Sequence, residues 1–267
     1  MRITSIKNKK VSVIIANYNK SIYLDECIKS IQNQNYSNIQ TIVVDNKSTD
    51  NSLEILRKYK KIILIENKTH SNVGAYDQLN AYKLALPYVN GEIIFFLDSD
   101  DFFKKNKIIK VLNFLNNSTF QVCADLPIFY FNSNNQKKKK LLKNFFFSPW
   151  PSFSPHSCIS IKKEYLIKIL KTISIKKFPK VWMDFRILTH AYLQFGTNNI
   201  LEKYLTLYRQ NQFQSTSNYK FLSSNWLKRR FQAHAYFNYA CKKLNKKRIY
   251  TLDFFVTYFV CKLFKLD

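Results

Sequence analysis

The chain has 267 residues, 46% of them apolar and 16% aromatic, which supports a sizeable folded core and excludes a disordered chain. Its 43 basic and 17 acidic side chains leave a net charge of +26, and such a charge requires a polyanionic neighbour: nucleic acid, an anionic leaflet or a phosphorylated substrate. The only glycines are Gly74, Gly91 and Gly196, so no glycine-rich phosphate loop exists, and five scattered cysteines argue against a disulfide framework or zinc site.

The pattern begins with Val11–Ala16, a buried strand that ends in the polar turn Asn17-Tyr18-Asn19. Leu24, Cys27, Ile28 and Ile31 then fall at helical spacing, with Asp25 and Glu26 near the helix start. A second buried strand covers Ile39–Val44 and ends in Asp45. Ser48, Thr49 and Asp50 carry capping chemistry for a helix reaching about Tyr59. Ile62–Ile65 predicts a third strand, and Asn72-Val73-Gly74 opens a helix to about Tyr88.

Five apolar residues, Ile93–Leu97, predict a strand buried on both faces, and they run straight into Asp98-Ser99-Asp100-Asp101. Carboxylates so clustered need a counter-charge, and their hard oxygens suit Mg²⁺ or Mn²⁺, which in turn holds a diphosphate. An acidic loop that caps the next helix is the alternative. In open α/β sheets, ligands bind beyond the carboxyl ends of the strands, where this cluster belongs. A helix over about 107–115 completes an alternation of strands and helices that predicts a mostly parallel, doubly wound sheet.

Beyond residue 116 the pattern loosens. Val122–Asn132 predicts one or two strands, Ser133–Lys140 an exposed loop, and Phe145–Phe147 with Trp150 an irregular aromatic segment. Ser157–Lys162 reads as a strand, Glu164–Ile173 as a helix, and Asp184–Phe195 as a helix closed by Gly196. From Lys203 to Leu252 there are eleven basic residues and no acidic one. Helical patterning returns over Phe221–Leu244, and Phe254–Phe264 is aromatic and apolar.

Four stretches, in order and with matching separations, resemble the family 2 glycosyltransferases of the GT-A fold. They are Val11–Asn19, Ile42–Asp50, Asn72-Val73-Gly74 and Phe96–Asp101. The resemblance covers residues 10–116 well and 157–217 more loosely. It implies a GT-A domain over 1–217, with a Rossmann-like donor half at about 10–116 and an acceptor half at about 117–217. A basic, aromatic, helical extension over 218–267 follows. It also implies a nucleotide-diphosphate-sugar donor, most simply a UDP-sugar, a divalent metal, and inversion at the anomeric carbon.

Residue by residue, the resemblance places Ala16, Tyr18, Asn72, Gly74 and Ser99 around the nucleotide sugar. Asp45 would accept a hydrogen bond from the base, although a turn or capping role is open to it. Asp98 lies near ribose and metal, and Asp100 ligates the metal. Asp101 is placed to ligate, to orient Asp100 or to cap the next helix. The family's Glu-Asp pair reads Met183-Asp184 here, so Asp184 is the candidate general base as well as a candidate helix cap. Arg209 is a candidate phosphate contact, while Asn211 replaces a histidine of the family pattern. Trp182, His156 and Asp101 are candidates for the acceptor side.

The implied function is sugar transfer to a glycan or lipid-linked acceptor in bacterial lipopolysaccharide, capsule or other surface-glycan synthesis. A membrane-docked scaffold without activity and a nucleic-acid-binding protein are the competing classes; the aspartate set speaks against the first and the lack of a recognition motif against the second. The polar start, the lack of any apolar run near the eighteen or so residues of a span, and the unpaired cysteines predict a cytoplasmic protein. Eight basic residues between Lys228 and Arg248, followed by the aromatic tail, predict attachment to the inner face of the membrane. Packing of that tail against the catalytic domain is the alternative.

Overall fold

The computed structural model describes residues 9–71, 73–140, 148–173, 177–196, 199–210 and 220–266. Asn72, Phe145–Phe147, Asn211 and Ser215–Ser217 lie outside the described residues.

Among the described residues, nine strands form one sheet: β1 (Val11–Asn17), β2 (Ile39–Asp45), β3 (Ile62–Glu66), β4 (Ile93–Asp98), β5 (Phe102–Phe103), β6 (Val122–Asn132), β7 (Asn135–Lys138), β8 (Ile159–Lys162) and β9 (Ile200–Arg209). Their order is β3-β2-β1-β4-β8-β6-β9-β5, with β7 paired to β6. β3, β2, β1 and β4 are parallel; β8 runs against both β4 and β6, and β9 runs parallel to β6. The mostly parallel sheet expected from the sequence is therefore present, with its reversals confined to β5, β7 and β8.

The double winding follows from side-chain alternation. In β4, Ile94 and Phe96 enter one core, while Ile93, Phe95 and Leu97 enter the other. The first core is covered by α3 (Gly74–Ala85), α5 (Lys163–Thr172) and α6 (Met183–Phe195); the second by α1 (Ser21–Gln32) and α4 (Lys107–Asn116), with Leu56 from α2 (Ser52–Arg57). The four apolar residues that predicted α1 are all buried. Each large aliphatic or aromatic residue so enclosed contributes about 1.5–3 kcal/mol relative to exposure. Gly91, just before β4, has no room for a side chain: a Cβ there would lie 2.4 Å from the backbone nitrogen of Ser12.

Two segments depart from the sequence expectation. Ser133–Lys140 is not a plain loop, because Asn135–Lys138 turns back as β7 and pairs with the exposed end of β6. β9 is a ten-residue strand that the sequence pattern did not announce; its first half alternates too weakly, and its partner β6 is distant in sequence.

The C-terminal residues form α7 (Ser224–Lys243), capped by the Ser223 side chain, and α8 (Leu252–Leu263), capped by Thr251. α7 packs on the body of the molecule: Tyr236, Phe237, Ala240 and Cys241 are buried against Phe178, Val181, Trp150 and α6. α8 rests on α7 and buries only Thr257 and Cys261. All five cysteines are buried and none forms a disulfide. No helix among the described residues is long and apolar enough to cross a membrane.

Candidate active site

Strand register builds the site. Ala16 pairs with Asp98 across β1 and β4, and Asn17 pairs with Asp45 across β1 and β2, so the motif ends lie in one row at the sheet's carboxyl edge. Beyond that edge lies a cleft of about 420 Å³. Ala16, Tyr18, Gly74, Asp98, Ser99 and Asp100 line it, as do His156, Trp182 and Asp184 from the other half of the chain.

The floor is a set of carboxylates held close together. Burial pushes the Asp98 carboxyl up to about 7, with repulsion from Asp100 and Asp184 adding to the effect. Gln78 donates a weak hydrogen bond to Asp98 at 3.4 Å. Asp100 is ion-paired at 2.7 Å with Lys20, from the loop after β1. Asp184 sits in the first turn of α6, where its Oδ1 accepts from the backbone N–H of Phe185 at 2.7 Å. Burial raises its pKa, and the charge of Arg229 on α7 opposes that rise. The N-cap position is Trp182 and no side chain caps it, so the cap role open to Asp184 in the sequence is not taken; the residue lies inside the first turn and lines the cleft.

The rim has a different character. Tyr18 and His70 stack at 4.0 Å with their planes 17° apart, and His70 Nδ1 lies 3.1 Å from Asp77 at the start of α3. Gly74 is required there, since a Cβ would meet the Trp182 ring at 2.7 Å. His156 is buried against Tyr82 and Phe96, and burial lowers its pKa to about 3, so the ring is neutral. Neither ring nitrogen has a hydrogen-bond partner among the described residues.

Three expected contacts are corrected by this geometry. Asp45 is 1% exposed and its carboxylate accepts from Asn17 Nδ2, Ser48 N and Ser48 Oγ at 2.7–2.8 Å. It fixes the β2 turn, and its neighbour Asn46 lines the cleft in its place. Asp101 is likewise buried; it accepts from Ser157 Oγ and from the backbone N–H of Arg209 and does not line the cleft. Arg209 does not reach the cleft. Its guanidinium pairs with Glu26, donates to the Asp100 carbonyl at 2.8 Å and lies over Tyr23 and Tyr130. Aromatic faces and an acidic partner outcompete an open cleft for that side chain.

Met183, at the position of the family's Glu, is fully buried in the core beneath α6. A buried polar cluster that sequence reasoning missed supports the whole floor. Lys107 Nζ donates to Asp125, Thr206 Oγ1 and the Ser157 carbonyl at 2.6–2.7 Å with no solvent exposure. Ser157 Oγ in turn accepts from the Asp98 backbone N–H at 3.0 Å. The available signal was Asp125 inside the apolar run of β6 and a lysine at the first turn of α4, where a helix dipole disfavours positive charge.

The glycosyl transferase family 2 model matches residues 12–177. The chain belongs to that family. An uncharacterised glycosyltransferase of Haemophilus influenzae is 38% identical over 109 residues, which span 39% of this chain and 42% of that one. The poly(ribitol-phosphate) beta-glucosyltransferase of Bacillus spizizenii is 36% identical over 111 residues, 39% of this chain and 17% of that one. The matched stretch therefore spans less than half the length of these relatives. Among solved structures, S. aureus TarS 1–349 in complex with UDP-GlcNAc superposes with a TM-score of 0.61 at 22% identity, covering 85% of this chain and 66% of that one. The mannosyltransferase of Pyrobaculum calidifontis in complex with GDP-Man and Mn²⁺ gives 0.54 at 16% identity, over 91% of this chain and 66% of that one. The fold is GT-A.

Proposed function

We propose that the protein is an inverting glycosyltransferase that moves a sugar from a UDP-sugar to a hydroxyl of a glycan or lipid-linked acceptor in bacterial surface-glycan synthesis. One observation carries the reading: Asp98, Asp100 and Asp184 face a single cleft at the carboxyl edge of a parallel sheet. The UDP-GlcNAc held by TarS, the GDP-Man held by the mannosyltransferase and the poly(ribitol-phosphate) relative support the donor class and the glycan destination.

A divalent ion fits the residues present. Asp98 and Asp100 are hard oxygen donors, burial and then their mutual repulsion raise the Asp98 pKa, and one or two carboxylates plus substrate phosphates suffice for Mg²⁺ or Mn²⁺. Bound there, the metal would supply Lewis-acid neutralisation of the departing diphosphate. Lys20, paired with Asp100, offers a further positive charge at the same edge. The stacked Tyr18–His70 pair and Asn46 bound the nucleotide side, and His156 and Trp182 bound the sugar side.

The chemistry assigned to this chain's residues is a single displacement. The acceptor hydroxyl oxygen forms a bond to the anomeric carbon while the bond from that carbon to the diphosphate oxygen breaks. Asp184 takes the hydroxyl proton, and its raised pKa brings it nearer the range of an effective base. Attachment to the inner membrane surface through the basic, apolar C-terminal helices belongs to the same proposal, since it brings the enzyme to a lipid-linked acceptor.

The test is calorimetry with UDP and Mn²⁺ on the wild type and on Asp100→Ala. The wild type should bind UDP more tightly with Mn²⁺ than without, and the variant should lose that metal-dependent gain. A variant that keeps it removes Asp100 from the metal site.

A further inference from the structure

A second cavity, of about 300 Å³, adjoins the cleft. It lies between the segment Ser148–Phe153, the start of α6 and the first half of α7, and Asp184 and Arg229 belong to the walls of both cavities. We infer that this second cavity is the acceptor subsite and that it takes a sugar or polyol unit bearing an anionic group, phosphate or carboxylate. The inference rests on the reading of Asp184 as the base.

The shared wall is the first argument. A hydroxyl presented from the second cavity meets the same carboxylate that faces the cleft where the donor is placed. Two substrates held in adjoining cavities around one base satisfy the orientation that a bimolecular displacement needs.

The lining is the second. Trp150 meets Phe185 edge-on at 4.9 Å, and Phe153 meets the same ring at 5.5 Å, so one side of the cavity is aromatic. Apolar walls with a few fixed polar groups are the usual makeup of a small-molecule site, and the volume is at the lower end of such sites. That leaves room for one sugar unit.

Charge is the third. Arg230 is fixed from behind: its Nε and Nη2 donate to Asp253 of α8 at 2.7 and 2.6 Å, and Nη2 also donates to Ser148. Its position is thereby set without any ligand. Arg229 stands beside it, facing Asp184. α7 carries Lys228, Arg229, Arg230, Lys242 and Lys243 and no acidic residue. An anion on the incoming unit is drawn to this wall, and the planar donors of a guanidinium suit phosphate or carboxylate. The family match ends at residue 177, so the arginines that would select the acceptor lie in the part of the chain outside it.

The experiment is calorimetry on the full chain with UDP and Mg²⁺ already saturating, which fills the donor cleft. Glucose 1-phosphate, glucuronic acid and methyl glucoside are the probes, and the first two separate phosphate from carboxylate. At least one anionic probe should bind about tenfold more tightly than methyl glucoside. Arg229→Gln should erase that preference, while Arg229→Lys should keep part of it. Three probes that bind alike, or none that binds while UDP does, would overturn the subsite. A preference that survives in Arg229→Gln would also overturn it. Failure of UDP to bind the wild type would instead sink the donor reading, and the subsite with it.

Discussion

The two sides of the cleft are assembled by different physics. The proposed donor side comes from one stretch, residues 16–100, and its members sit at the ends of β1, β2 and β4 and the start of α3. Backbone register alone puts Ala16 beside Asp98 and Asn17 beside Asp45. The opposite side draws on residues 148–156, 182–185 and 229–230, brought together by aromatic packing around Trp150, Phe185 and Phe237. The first side could change its loops and still present carboxylates at the sheet edge. The second depends on three distant segments packing at once, so its specificity is open to drift while the donor site stays fixed.

The comparison is broken most severely at the residue both sides share. Asp184→Asn should retain UDP binding, because the metal and diphosphate are assigned to Asp98 and Asp100, and should lose sugar transfer by about 10²–10⁴-fold. The pairing of nucleotide calorimetry with transfer kinetics reads the two halves separately. Transfer within a few-fold of wild type would remove Asp184 as the base and leave it only a first-turn residue of α6.

That same division explains what was legible in the sequence. Asp98 and Asp100 follow an unmistakable apolar run, so their place at the sheet edge could be read from pattern, whereas Tyr18 and Gly74 were placed by the family resemblance. Asp45 could not be separated from Asn46 in this way: the first ends β2 and the second follows it, and only the turn chemistry of Ser48 decides which side chain turns inward. Arg209 was misplaced because the aromatic groups that hold it, Tyr23, Phe102 and Tyr130, come from three separate elements. The arginine wall of α7 read only as charge, since no local pattern says which lysine or arginine of a basic helix faces a cavity. Lys107 is the extreme case, as a fully buried cation whose partners lie 18 to 99 residues away.

Lys107 is also where the two sides are mechanically joined, because its ammonium links α4, β6, β9 and the Ser157 carbonyl behind Asp98. Lys107→Met keeps most of the volume and leaves Asp125 buried without its counter-charge. Breaking a buried pair in this manner costs about 3–5 kcal/mol. Urea denaturation should show that loss, and the double variant Lys107→Met/Asp125→Leu should recover a large part of it. A single variant as stable as wild type would mean that the cluster does not hold the floor together.

The smallest expected effect concerns the far end of the acceptor side, where α8 lies on α7 with most of its apolar residues outward. Phe259 is 68% exposed and Leu263 77% exposed, and Leu252, Phe255, Val256 and Phe264 are also exposed. An outward apolar face of that extent marks a contact surface. Its surroundings specify which kind: Lys246, Lys247, Arg248 and Lys262 flank it, with Asp253 already engaged by Arg230 and His234. Each cation near an anionic leaflet contributes about 1 kcal/mol, and the apolar side chains add their own partial burial. The helix is too short to span a bilayer, so reversible attachment in the interface is what this chemistry allows. The full chain should float with phosphatidylglycerol liposomes at low salt and detach at high salt, as screening requires. Phe259→Ser with Leu263→Ser should weaken flotation about tenfold while leaving UDP binding intact, because neither residue borders the cleft. Undiminished flotation of the double variant would assign the membrane contact to the lysines alone, and equal flotation with neutral liposomes would remove the electrostatic part of the argument.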